Sequence, residues 1–137
     1  MAGLSQRKLD DLRREWQNRL KLRDWKIKIQ IVDLALLKDL TKTDWPVGGC
    51  ETFPEAKEAR IYILRQEDWG DDTRERAANV EDTIVHELLH IHFAPFEASE
   101  PGMMLHQEQA IEALTAAFLS LKRGTGSGGG KRTKAGE

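Results

Sequence analysis

A chain of 137 residues with one cysteine is long enough to build a core of its own and has no internal disulfide to staple it. It carries neither an apolar leader nor an apolar run of bilayer length, which predicts a soluble, cytoplasmic protein with no membrane partner. The net charge of −2 is unevenly spread: residues 122–137 hold five of the 21 Lys/Arg and one of the 23 acids, leaving 16 basic and 22 acidic groups, a net −6, over residues 1–121.

Ser5 is positioned to cap a first helix on which Leu9, Leu12, Trp16 and Leu20 recur at helical spacing, so this helix is amphipathic and packs on the core. Residues 1–31 are basic, with nine Lys/Arg against four acids, but ordinary surface charge accounts for that and nucleic acid is not the expected partner. Trp25–Val32 alternates polar and apolar, placing Ile27, Ile29 and Ile31 inward and Lys26, Lys28 and Gln30 outward as a strand. Asp33–Trp45 reads equally as a short helix or a covering loop. Pro46 and Gly48-Gly49 punctuate the chain before a short strand near Cys50 and Thr52 that Pro54 ends. Ala59–Leu64 is a further strand, with Ile61 and Ile63 inward and Arg60 and Tyr62 outward. After Trp69-Gly70, the acidic turn Asp71-Asp72-Thr73 and Arg74–Ala78 lead into the next helix.

That helix carries Val85-His86-Glu87-Leu88-Leu89-His90-Ile91. Asn79 is its candidate cap, Glu81 and Asp82 suit its first turn, and Phe93-Ala94-Pro95 ends it. His86 and His90, at i and i+4, lie one turn apart and can direct ring nitrogens at one ion. Glu87, beside them, can take a proton from water without being a ligand, the role of the acid in H-E-x-x-H. Ile84, Val85, Leu88 and Ile91 form a separate apolar stripe, leaving Thr83, His86, Glu87 and His90 as a polar one. The acidic surroundings, residues 67–100, favour cations or basic substrates.

A catalytic zinc commonly takes three protein ligands and an open position. His92 points the opposite way round the helix from His90, and Phe at 93 and 96 excludes the metzincin continuation. The last segment, opened by Pro101-Gly102, has Ile111, Leu114, Phe118 and Leu121 at helical spacing, and its Glu108 and Glu112 are one turn apart beside that stripe. In the gluzincin arrangement the third ligand is a Glu from a helix packed beside the motif helix, with a later acid orienting a ligating His. Glu108 is favoured as ligand on that basis, with Glu112 supporting it, while Glu112 and His106 remain alternatives. From Gly124 the chain is mostly Gly, Ser, Thr and Lys with nothing to bury, so residues 1–122 are expected as one domain and 123–137 as a disordered tail.

Trp25-Lys26-Ile27 after an amphipathic helix, Ala59–Ile63, the H-E-x-x-H stretch and Glu108-Gln109-Ala110-Ile111 together resemble the small phage and prophage zincin-like metallopeptidases, over about residues 5–121. The resemblance implies an α+β zincin-like domain with the third ligand on the helix after the motif, and host cytoplasm if the chain is phage-encoded. The expected fold has an N-terminal helix, a small three-stranded, mostly antiparallel sheet, the motif helix and a C-terminal helix beside it. The expected function is zinc-dependent cleavage of a peptide or amide bond in a peptide or protein substrate, with Glu87 as general base and His86, His90 and Glu108 holding the metal; Tyr62 or His106 could serve the oxyanion. Two alternatives stand beside it. Peptide deformylases pair H-E-x-x-H with an upstream Cys in Glu-Gly-Cys-Leu-Ser, faintly like Gly49-Cys50-Glu51, though their Gly-rich first motif is missing and Leu89 replaces their usual Asp. In the other, zinc stabilises a non-catalytic phage adaptor domain, which normally calls for four ligands and more cysteine.

Overall fold

In the computed structural model, which describes residues 4–70, 79–96 and 100–126, local signals set most element ends. Helix α1 (Gln6–Arg19) starts where the Ser5 side chain accepts the Lys8 N–H, and strand β1 (Lys26–Val32) follows. The ambiguous stretch is a helix, α2 (Leu34–Thr41), whose first turn is capped twice: Asp33 accepts the Leu36 N–H at 2.9 Å and Asp68 accepts the Leu34 N–H at 2.7 Å. Strand β2 (Gly48–Phe53) turns through Pro54–Lys57 into β3 (Glu58–Leu64), where Lys57 takes the left-handed conformation, φ 52°. A 3-10 turn, Gln66–Asp68, precedes helix α3 (Val80–Phe93), which bears the motif, and helix α4 runs from Pro101 to Gly126. The class is α+β, with four helices and one small sheet among the described residues. The predicted Asp71–Ala78 connection lies outside the described residues, as do residues 127–137 of the predicted tail.

The sheet order is β1-β3-β2, with β1 parallel to β3 and β2 antiparallel to it. The sheet is therefore mixed, not mostly antiparallel. The reason is connectivity: β2 and β3 form a hairpin, and when β3 rather than β2 takes the centre it runs beside β1 in the same sense. A central strand is covered on both faces, which explains why Tyr62, read from the alternation as outward, is only 6% exposed.

Glycine neighbours identify the two faces. A side chain at Gly48 would meet Thr83 and Glu87 of α3, and one at Gly49 would meet Thr41 and Leu37 of α2. By strand alternation Cys50 shares the α3 face with Gly48, and Ile61 and Ile63, paired with Cys50 and Gly48, lie there too. Tyr62, paired with Gly49, belongs to the α2 face, where it clusters with Val32, Leu37 and Leu64.

The chain divides into two compact units, residues 1–97 and 98–137. The first contains the sheet, α1, α2 and α3. In the second, Ile111, Thr115 and Leu119 of α4 are buried at i+4 spacing, whereas Leu114 and Leu121 are exposed. The predicted stripe was thus right at Ile111 and displaced beyond it, because a 3.6-residue turn lets either i+3 or i+4 steps continue a stripe. No helix among the described residues is long and apolar enough to cross a membrane.

Candidate metal centre

The motif falls on α3 as its pattern predicts. Asn79 caps the helix, its side chain accepting the Asp82 N–H at 3.4 Å, and Glu81 and Asp82 occupy the first turn, where they oppose the positive end of the helix dipole. The apolar stripe is fully used: Ile84, Val85 and Leu88 are 0% exposed and Ile91 1%. Burial extends further round the helix than that stripe, to Leu89, Thr83 and Glu87.

Two polar clasps fix α3 against α1, one near each end. The Trp16 indole N–H donates to Glu81 Oε2 at 2.6 Å, and His92 Nε2 meets the Leu20 carbonyl at 2.6 Å. A carbonyl only accepts, so His92 carries its proton on Nε2 and is engaged away from the motif face, as its position round the helix predicts. The second clasp uses the residue that ends α1, tying the C-terminal turn of α3 to the point where the chain leaves for β1.

His86 and His90 come together one turn apart, with ring centroids 5.2 Å apart and planes tilted by 55°, and both rings are half-buried. Glu87 lies on the side of α3 that faces β2 and is 8% exposed. The Glu87 carboxylate is thus withdrawn from water, one position along the helix from His86. Glu108, Glu112 and His106 all lie on α4 in the second unit and are exposed there.

Cys50, the ligand of the deformylase-like alternative, is on the β2 face that meets α3. Burial pushes its thiol well above its ordinary range, and the nearby Glu87 and Glu51 carboxylates add to the effect. Cys50 and Glu87 are thus near enough to feel one another across the β2–α3 contact. Tyr62 lies on the opposite face of the sheet from α3, with its hydroxyl donating to Glu51 at 2.6 Å. Burial, and then that bond, raises the Tyr62 phenol above its usual value. A side chain on the far face cannot serve an oxyanion at the motif, which removes Tyr62 from that role. What the sequence reading missed is Gly48, taken there as punctuation before the strand. A glycine inside a strand signals a close approach by another part of the chain, and here that part is α3.

No family model, curated protein or solved structure matches this chain.

Proposed function

We propose that the protein is a zinc-dependent, metallopeptidase-like hydrolase that cleaves a peptide or amide bond. The observation that carries this reading is the conjunction on α3 of two half-buried imidazoles one turn apart with a buried carboxylate next to the first of them. The donor chemistry fits zinc: His86 and His90 offer two imidazoles, and Glu108, proposed from the sequence as third ligand, would add one carboxylate, a donor set of the kind catalytic zinc takes. A closed structural site usually adds a fourth ligand and favours thiolates, whereas the chain has a single cysteine.

Bound zinc supplies Lewis acidity towards water and a carbonyl oxygen. The rest belongs to the chain. Glu87 takes the proton of the attacking water and returns it to the departing amine, and its exclusion from solvent strengthens that exchange by lowering the local dielectric. His86 and His90 would hold the ion, their spacing fixed by the helix and the helix fixed by its clasps to α1. The substrate is a peptide or protein, and the protein acts in the cytoplasm.

Metal analysis of three variants tests this reading. His86→Ala and His90→Ala should each lose zinc, from about one per chain to none, because each removes a primary ligand. Glu87→Gln should keep zinc and lose hydrolysis of unfolded casein. Full zinc retention in both histidine variants refutes the metal site, and unchanged turnover in Glu87→Gln refutes the base.

A further inference from the structure

Gly48 sits in β2 where the strand crosses α3. A Cβ built there would lie 2.6 Å from Thr83 Cγ2, 3.2 Å from the Tyr62 carbonyl oxygen and 3.4 Å from Glu87 Oε2. Carbon atoms in contact prefer about 3.5–4.0 Å, so only the first of these is impossible as it stands. Thr83 has little freedom to yield: it is 8% exposed, β-branched on a helix, and its hydroxyl donates to the Asn79 carbonyl at 3.4 Å, a bond that holds the methyl towards the strand. The backbone at Gly48 is ordinary strand, so glycine is needed here for space and not for its conformational range.

We propose that Gly48 is a positioning residue for Glu87: its missing side chain, matched to the Thr83 methyl, sets the spacing between β2 and α3 and so seats the Glu87 carboxylate beside the strand. Thr83 and Glu87 are one turn apart on α3 and both face Gly48, so whatever separates the strand from Thr83 also displaces it from Glu87. A methyl at 48 demands a shift of about 1 Å, and misplacements of that size are worth up to about 100-fold in rate. His86, Glu87 and His90 share α3, so the two imidazoles keep their mutual spacing, and what changes is the Glu87 side chain, whose carboxylate loses its seat against the strand and turns away from the pair. The catalytic part of this inference rests on the hydrolase reading; the spacing part does not.

The two are separated by full-length Gly48→Ala, Thr83→Ser and the double variant. Thr83→Ser removes the obstructing methyl and retains the hydroxyl. Cys50, the only thiol, lies on the same β2 face two residues from Gly48 and reports the spacing through its rate of alkylation by iodoacetamide. Gly48→Ala should alkylate at least about 10-fold faster than wild type and melt several degrees lower while keeping its zinc, and the double variant should return most of the way in both readouts. Casein hydrolysis should fall about 10–100-fold in Gly48→Ala and recover in the double variant. A Gly48→Ala protein with unchanged alkylation and melting, or a double variant no better than Gly48→Ala, overturns the proposal. Recovery of spacing without recovery of hydrolysis overturns the positioning role. Should wild type hold no zinc, the hydrolase reading falls and the alkylation series still decides the spacing.

Discussion

Glu87 and Glu108 differ in what surrounds them, although in sequence both are acids on amphipathic helices. Glu87 is 8% exposed against β2, and Glu108 is exposed on α4. That difference fits a proton-transfer group in one case and a residue whose place must be tested by metal affinity in the other. If Glu108 is the third ligand, Glu108→Ala should weaken zinc binding by more than about 10–100-fold, the loss typical even of groups that only orient a ligand. Glu112→Ala should cost less, and Cys50→Ser should be nearly neutral. Zinc titration of the three variants checks the order; a larger loss at Cys50 than at Glu108 would transfer the site to the deformylase-like arrangement. At this scale the sequence was most informative where placement is tied to local spacing, as for His86 and His90, which fall one turn apart on a helix. It misread Tyr62 and Gly48, because both depend on which strand is central and which helix crosses it, and neither fact is local.

Among the elements, α2 shows how a weak helix is made definite. Its eight residues are too few to be stable alone, and the sequence left it undecided between helix and loop. The decision comes from Asp68, 34 residues away, which accepts the Leu34 N–H and pairs with Arg65 at 2.9 Å. The Arg65 bond, and then that from Leu34, hold the Asp68 carboxyl below its ordinary range. A carboxylate with a depressed folded-state value stabilises the fold fully above its unfolded value, about 3.9, and the contribution is lost as pH falls through the folded value. Asp68→Asn should therefore lower the thermal midpoint at pH 7, with the gap to wild type closing below about pH 4. Melting both proteins from pH 7 to pH 2.5 checks it; a gap that is constant across that range would mean Asp68 acts through its size alone. The caps of α1 and α3, by contrast, were legible at once, since Ser5 and Asn79 adjoin the helices they start.

For the whole molecule, helix, strand and motif content could be read from periodicity, whereas strand order could not, because side-chain alternation is blind to which neighbour a strand chooses. The end of α4 also exceeded its apolar pattern: the helix continues to Gly126 although Leu121 is the last large apolar residue and is itself 68% exposed. Residues 127–137 contain no apolar side chain larger than Ala135. Ending the chain after Gly126 should leave both the thermal midpoint and the zinc content unchanged, as calorimetry and metal analysis would show. A drop in either would mean that these residues make contacts their composition does not suggest. The two faces of the sheet have a practical consequence. On β1 the exposed Lys26, Lys28 and Gln30 alternate with Ile27 and Ile29 and so project from the side away from α3. A fluorophore or a surface tether attached at Lys28 would sit behind the partition formed by the strands, on the opposite side of the sheet from the helix that bears the motif.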